Sequence, residues 1–412
     1  MIYASCKSGF DFVEWPVLCR MFLAWRPHSV SNGKMAYRIP FNRPLAGPRA
    51  IKNLTEVCGE QHLSGDGRFT QQCSAWLRSN LGVRNALLTT SGTSALDMSA
   101  ILAGLQAGDE VILPSFTFSS SANAIVLRGA VPVFVDIRED TLNIDERLIE
   151  AAITPRTRAI MVVHYAGIAC AMDPIMAIAS RHGLIVIEDA AQAILSSYRG
   201  RPLGSIGQTA ALSFHETKNI SSGEGGALLI NDPAIVEKAE IIREKGTNRT
   251  AFARGEIQKY TWVDLGSSYL PSEIISAFLW SQLEIAEELT AQRIALWNRY
   301  HAHFAELENA GILRRPIVPD DVVSNGHIYY LLLPDQPKRD ALIAALRAES
   351  INAVFHYIPL HSAPAGQRFG RTVGNLGHTD DLSARLVRLP LWIGLGDDVD
   401  IVADAVKRAL AR

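Results

Sequence analysis

Residues 211–230 read ALSFHETKNISSGEGGALLI, and their order decides the architecture. An apolar run ends at Ser213, a polar turn carries Lys218, and the glycine-rich SGEGG of 222–226 returns the chain into a second apolar run. Glycine permits the positive φ and the close backbone approach that such a return needs. The segment therefore reads as two strands joined by a constrained turn. Working outward, the runs ALLTT (86–90), EVILPS (110–115), VPVFVDI (131–137), AIMVVHY (159–165) and LIVIED (184–189) precede AALSFHE (210–216) and GALLIND (226–232). Most are continuous apolar runs of strand length, as expected for strands buried on both faces. Helical patterns such as SALDMSAILAGL (94–105) and DPIMAIASRHG (173–183) fall between them, the second ending at a glycine stop signal. The spacing predicts an α/β fold, a mostly parallel sheet flanked by helices.

Beyond a long amphipathic helical stretch at 271–311 the character changes. The strand candidates HIYYLLLP (327–334) and AVFHYIPL (353–360), with helices over 338–350 and 399–411, predict a smaller α+β C-terminal domain. The expected division is 35–285 for the large domain and 286–412 for the small one. Residues 1–34 differ from the rest. Asp11 and Glu14 interrupt their apolar stretch, no cleavage pattern follows a basic start, and Met35 opens a stretch that reads like the start of a domain. They read as a dispensable or non-native extension, or as a docking segment carrying Trp15, Phe22 and Trp25.

Of 412 residues, 48% are hydrophobic and 20% charged, the balance of a globular protein long enough for two domains. A net charge of -2 gives no reason to expect a nucleic-acid or acidic-membrane partner. The five cysteines, Cys6, Cys19, Cys58, Cys73 and Cys170, are odd in number and form no CxxC, which argues against a disulfide framework and a zinc site and fits a reducing cytoplasm. No apolar run reaches the ~18 residues that span a bilayer.

Ligands of open parallel sheets bind beyond the carboxyl ends of the strands, so the residues just after each run carry the functional reading. In LLTTSGTSALDMSA a strand turns straight into a helix. Gly92, Thr93 and Ser94 there offer free N–H groups, the helix dipole and hydroxyls to a phosphate, against the plainer reading of an ordinary N-cap. Glu188 and Asp189 end another strand. At least one carboxylate should face the crevice, where it would keep a ligand's ring nitrogen protonated, and Gln192 lies within reach of a phenolic oxygen. Lys218, flanked by Ser213, Thr217 and Asn219, is a candidate Schiff-base amine, since burial lowers a lysine pKa. Phe116 and Phe118 follow a strand and could stack on a flat heterocycle or simply pack in the core. Each feature alone has a bland reading as a cap, surface lysine or core aromatic. Together a phosphate cradle, a stacking aromatic, a ring-nitrogen acid and a Schiff-base lysine point to one cofactor, pyridoxal 5'-phosphate.

At these residues the chain resembles the DegT/DnrJ/EryC1/StrS sugar aminotransferases, from about Ile39 to the C-terminus. LSGDGRFT, GDEVILPSFTF, IEDAAQ, SFHETKN, GEGGALLIND, REKGTNR and VFHYIPLH carry the resemblance. It implies the aspartate-aminotransferase fold (fold type I) and a homodimer whose neighbouring subunit completes each site. It also implies Lys218 as the cofactor's covalent anchor, Asp189 at the pyridine nitrogen and Gln192 at the phenolic oxygen. Thr93 and Ser213 would hold the phosphate near Gly92, and Phe118 would be the stacking aromatic. Where many members carry an Asn and, two residues on, an Arg, this chain has Ser268 and Leu270, so Ser267, Ser268 or Tyr269 would have to supply that phosphate contact.

The implied reaction moves an amino group from L-glutamate to C4 of dTDP-4-dehydro-6-deoxy-D-glucose, giving dTDP-4-amino-4,6-dideoxy-D-galactose. Lys218 would act as proton carrier, and the setting would be a surface polysaccharide such as enterobacterial common antigen or lipopolysaccharide. His164, Tyr165, His215, Glu216, His356, Tyr357 and His361 are candidates to meet the sugar, each with the alternative of a structural role. Lys245, Arg249 and Arg254 are candidates for the nucleotide diphosphate, or for a solvated charged loop. A sugar dehydratase of this lineage is expected to lack the lysine, and a nicotinamide enzyme needs a GxGxxG turn that is missing here. A 3-aminotransferase, another 4-keto sugar, or a non-catalytic cofactor-binding protein stay open as alternatives.

Overall fold

The computed structural model describes residues 37–411, which belong to one compact unit. The expectations for residues 1–34 lie outside the described residues.

All seven strand candidates of the N-terminal half lie in one sheet. They are β1 (Asn85–Thr89), β2 (Glu110–Pro114), β3 (Val131–Val135), β4 (Thr157–Val163), β5 (Ile185–Asp189), β6 (Thr209–Ser213) and β7 (Gly226–Ile230). A short β8 (Arg371–Thr372) adds to the edge, and the order across the sheet is β1-β7-β6-β5-β4-β2-β3-β8. All neighbours are parallel except at β7, which runs antiparallel to both β1 and β6. The return read from SGEGG is the β6–β7 connection, and it suspends Lys218 at the carboxyl end of β6.

The continuous apolar runs have the expected cause. Ile112, Val133, Val135, Ile160, Val162 and Val186 enter the core on one face of the sheet. Val111, Leu113, Phe134, Met161 and Ile187 enter the core on the other. With a side-chain period of two, a strand covered on both sides must be apolar at every position. Each fully buried Val, Leu or Ile contributes roughly 1.5–3 kcal/mol relative to exposure. The helices Gly92–Leu102 and Met172–His182 match their sequence patterns, the latter stopping at Gly183 with φ 65°.

A separate core gathers Leu296, Tyr300, Tyr329, Leu331, Leu346, Val387, Val402 and Val406. Ile39, expected with the large domain, is buried in this core and bridges Ile351. The long helical stretch is divided into Glu273–Leu283, Ala286–His303 and Ala305–Asn309. Of the two C-terminal strand candidates, HIYYLLLP supplies Tyr330–Leu332, paired antiparallel with Leu386–Arg388. AVFHYIPL forms only an isolated bridge between Val354 and Arg388. Pro359 offers no N–H and biases the residue before it, and Tyr357 sits at φ 20°, outside any strand geometry.

Candidate active site

Glu188 and Asp189 are adjacent at the end of β5, so the strand sends them to opposite faces. Glu188 is fully buried and accepts from His164 Nε2 (2.9 Å) and from the backbone amides of Gly204 (2.9 Å), Ile206 (2.7 Å) and Gly207 (2.6 Å). Burial alone would raise its pKa, but His164 and these amides outweigh burial and hold it below the ordinary carboxylate value. Asp189 faces the crevice instead. Its carboxylate accepts from Ser121 Oγ (2.7 Å) and, more loosely, from the Ala191 amide (3.2 Å).

Lys218 lies within the electrostatic reach of Asp189. Burial lowers its pKa to about 8, Asp189 opposes that shift, and the Arg388 cation adds to it. The turn holding Lys218 is fastened on both sides. The Lys218 amide donates to the His215 carbonyl (2.9 Å), and Asn219 bonds His327 Nδ1 (2.8 Å) and the Asn325 carbonyl (2.9 Å). Asn325 in turn donates to the carbonyls of Gln192 and Ile194.

The helix Gly92–Leu102 begins beside this turn. A Cβ on Gly92 would meet Ser213 Cβ at 2.8 Å, so the glycine lets the helix start press against the end of β6. Ser91 caps the helix by accepting from the Ser94 amide, and Ser94 Oγ is drawn into the same cap with Thr90 and Ser91. Thr93 is exposed and pairs with Ser120 Oγ at 2.7 Å. Among the described residues no acceptor meets the amides of Gly92 and Thr93. Two free N–H groups at a helix start, two hydroxyls and the adjacent Ser213 suit a phosphate. A half-buried amine of lowered pKa beside an acid suits a covalently held aldehyde cofactor. The residues present thus fit pyridoxal phosphate.

Gln192 is clamped between the Ala166 amide, which donates to its Oε1 (2.7 Å), and Tyr357, whose hydroxyl accepts from its Nε2 (3.0 Å). Phe116 is buried against Tyr165, with centroids 5.0 Å apart, and belongs to the core; Phe118 is exposed at the mouth, 6.2 Å from the Tyr357 ring. Burial and the Asp189 charge push the Tyr357 phenol up, so it keeps its proton.

A profile of the DegT/DnrJ/EryC1/StrS aminotransferase family matches residues 45–407. The chain belongs to this family. It is similar to the spore coat polysaccharide biosynthesis protein SpsC of Bacillus subtilis, 35% identical over 91% of this chain and 97% of that protein. It is similar to GDP-perosamine synthase of Caulobacter vibrioides, 34% identical over 89% of this chain and 98% of that protein. Among solved structures it resembles the aminotransferase TlmJ of Streptoalloteichus hindustanus, with a TM-score of 0.83 and 29% identity over 90% of this chain and 99% of that one. The family identifies the chain as a pyridoxal-phosphate-dependent sugar aminotransferase of fold type I.

Several side chains expected at the sugar are engaged elsewhere. His164 is fully buried, and its Nδ1 accepts from the Cys170 amide (3.2 Å) while Nε2 faces Glu188, so it orients that acid and offers no free face. Tyr165 is fully buried too, its hydroxyl 2.7 Å from His356 Nδ1. His361 spends its ring on Ser115 Oγ (2.7 Å) and Asp380 (3.3 Å). Arg254 is paired with Glu240 and Glu256, so the diphosphate role expected of it gives way to a surface ion-pair network. His215 and Glu216 stay on the turn above Lys218, with His215 Nδ1 2.9 Å from Thr217 Oγ1 and Glu216 exposed. Lys245 and Arg249 are exposed beside Glu244, each 3.8 Å from it, and no contact among the described residues ties them to the Lys218 crevice. Ser267 and Ser268 are exposed on the same segment. His356 and Tyr357 do border the crevice, their rings 3.6 Å apart.

Sequence reasoning missed Ser120, Ser121, Asn325, His327 and Arg388. Ser120 and Ser121 lie in the SSS run after Phe118, and the place of that run in the first turn of the helix Ser119–Val126 was the available signal. His327, Asn325 and Arg388 arrive from the C-terminal third and had none.

Proposed function

We propose that the chain transfers the amino group of L-glutamate to C4 of dTDP-4-dehydro-6-deoxy-D-glucose, giving dTDP-4-amino-4,6-dideoxy-D-galactose. Lys218 anchors the cofactor, Asp189 faces its ring nitrogen and Gln192 its phenolic oxygen. The helix start at Gly92 and Thr93, with Ser120 and Ser213, receives the phosphate, and Phe118 covers the ring. The observation that carries the reading is the juxtaposition of Lys218 with Asp189, an amine of lowered pKa beside an acid with few protein partners. When bound, the cofactor supplies an electron sink for a carbanion. The chain supplies the rest. Lys218 Nζ, with a pKa of about 8, is neutral often enough near neutral pH to take a proton from the donor's carbon and return it. Asp189 keeps a positive charge on the ring nitrogen.

A nucleotide sugar is supported by the name of the GDP-perosamine synthase relative, and a polysaccharide setting by that of SpsC. Enterobacterial common antigen or lipopolysaccharide is the setting we propose. The GDP-linked relative also favours a second reading, a GDP-linked 4-keto sugar. A homodimer with shared sites is supported by the apolar side chains exposed between residues 252 and 265. Trp262 is 77% exposed, and Phe252, Tyr260, Val263 and Leu265 accompany it. A second copy would cover this segment and bring Lys245, Arg249, Ser267 and Ser268 to the neighbouring site. The division near residue 286 and a cytoplasmic location belong to the same reading. Among the described residues no helix is long and apolar enough to cross a membrane.

The test incubates purified enzyme with L-glutamate and, in parallel, the dTDP-linked and GDP-linked 4-keto sugars, and identifies the product by NMR. The dTDP substrate is expected to gain an amine at C4. Amination of a 3-keto isomer alone would sink the proposal, and exclusive use of the GDP sugar would select the second reading.

A further inference from the structure

The two groups that the reading above sets against the cofactor's aldehyde and phenolic oxygen leave from neighbouring strands. Residues 190–196 follow β5 and hold Gln192; residues 214–222 follow β6 and hold Lys218. Among the described residues no hydrogen bond runs from one segment to the other. Asn325 bonds both. Its Nδ2 donates to the carbonyls of Gln192 (2.9 Å) and Ile194 (2.8 Å), and its amide donates to Ser196 Oγ (3.0 Å). Its own carbonyl accepts from Nδ2 of Asn219 (2.9 Å), the residue after Lys218. Its Oδ1 accepts from the His327 amide (3.1 Å), and His327 Nδ1 meets Asn219 Oδ1 at 2.8 Å, so the turn is held twice. Asn325 is 1% exposed, and every polar atom on it has a protein partner.

The packing around this side chain is close. A Cβ on Gly167 would lie 2.1 Å from Asn325 Oδ1 and 3.0 Å from the Gln192 carbonyl, so the loop 165–167 presses on the same place. That loop also carries Ala166, whose amide holds Gln192 Oε1. Leu195 sits between two residues bonded to Asn325, and its φ of 61° is one that leucine adopts only where its surroundings impose it. Asn231 offers a contrast. Its Nδ2 also donates to two carbonyls, those of Gly204 (3.0 Å) and Gly207 (2.7 Å), but both lie in the one loop that serves Glu188. Asn231 closes a loop, whereas Asn325 spans two.

The aldehyde and the phenolic oxygen are neighbours on one rigid ring, so the amine and the amide that meet them must keep a fixed separation. A displacement of about 1 Å costs on the order of a hundredfold in rate. We propose that Asn325 is a positioning residue that holds the Lys218 turn and the Gln192 loop in register. It touches neither cofactor nor substrate and acts through the two segments that do. The inference rests on the reading in which Lys218 anchors the cofactor and Gln192 meets its phenolic oxygen.

The experiment compares wild-type holoenzyme with Asn325→Ala, Asn219→Ala and Asn231→Ala, the last a control that loses two loop bonds of the same kind. The pH midpoint of the cofactor's absorbance change, kcat and KM for L-glutamate, and urea unfolding are measured on each. A hydrogen bond donated to the phenolic oxygen weakens that oxygen's hold on the proton it shares with the nitrogen of Lys218. A displaced Gln192 therefore moves the midpoint up. Asn325→Ala is expected to raise it by about one pH unit and to lower kcat about a hundredfold, with little change in KM. Asn219→Ala releases only the turn, is expected to move both quantities the same way by less, and decides the matter if Asn325→Ala does not fold. Asn231→Ala is expected to lose stability with midpoint and kcat unchanged. A wild-type midpoint in Asn325→Ala, or in Asn219→Ala where only that variant folds, overturns the proposal. An equal shift in Asn231→Ala also overturns it, because loosening the fold anywhere would then suffice. A Lys218→Ala protein that keeps the wild-type absorbance band would overturn the cofactor reading itself and this proposal with it, a result distinct from either.

Discussion

The two ends of the sheet treat charge in opposite ways. At the amino end, Glu110 opens β2 almost fully buried, and its carboxylate is saturated by Arg156 (2.6 Å), Arg371 (2.7 Å) and the Thr154 hydroxyl (2.8 Å). At the carboxyl end, Asp189 keeps only a hydroxyl and one loose amide, Lys218 has no acid in contact, and Arg388 has none at all among the described residues. Glu188 repeats the lesson one residue from Asp189, with four donors on its two oxygens. Charges whose partners are complete belong to the fold; the incompletely paired Asp189 and Lys218 at the crevice are the ones proposed to meet a ligand. The cost of burying an unpaired charge makes the distinction physical.

The comparison breaks first at Lys218. Lys218→Ala is expected to abolish the cofactor's protein-bound absorbance band and all amino transfer, and a variant that turns over fully would refute the site. The adjacent acids should then divide cleanly. Asp189→Asn is expected to keep the fold and lower turnover roughly 10²–10³-fold. Glu188→Gln turns an amide towards backbone donors and should cost about 3–5 kcal/mol in urea unfolding, with activity per folded molecule retained. Equal behaviour of the pair in both assays would erase the distinction.

At the other end, Glu110→Gln should lose ~2–4 kcal/mol of stability and leave the kinetics alone. The hydrogen bond to Arg371 is the largest influence on Glu110. With Thr154 and Arg156 it outweighs burial and lowers the Glu110 pKa to about 2. A depressed carboxylate stabilises the fold above its unfolded pKa and loses that contribution as pH falls towards the folded value. Thermal melts of wild type should therefore drop between the ordinary glutamate pKa and about 2, and those of the variant should drop less.

The smallest effect is kinetic. Only the neutral amine of Lys218 attacks an aldehyde, so capture of cofactor by cofactor-free enzyme should rise about tenfold per pH unit well below the pKa. Capture should level off above about 8. A plateau reached only near the ordinary lysine value would mean that the amine is solvated.

The large sheet was legible because it must be. Strands buried on both faces are built from largely apolar runs, and most of the seven are visible as such. Asp189, Lys218, Gly92 and Thr93 were legible for a related reason, since they immediately follow those runs and a parallel sheet collects its strand ends at one edge. AVFHYIPL was misleading because its apolar residues look like a strand, whereas Pro359 and the φ of 20° at Tyr357 leave it only one bridge, at Val354. The histidines were misleading because a polar residue at a strand end looks the same whether it meets a ligand or, like His164, a buried acid.

By itself the sequence determined the sheet, its seven apolar strands, the family and the pairing of an acid with an amine at the strand ends, because these are encoded within single strands and their turns. Only the tertiary structure decided which of two adjacent acids is spent, which serines line the cradle, and that Asn325, His327 and Arg388 come from beyond residue 320 to stand around Lys218. Those facts depend on which hydrogen bonds are already filled, and donors and acceptors more than a hundred residues apart meet only when the chain has packed.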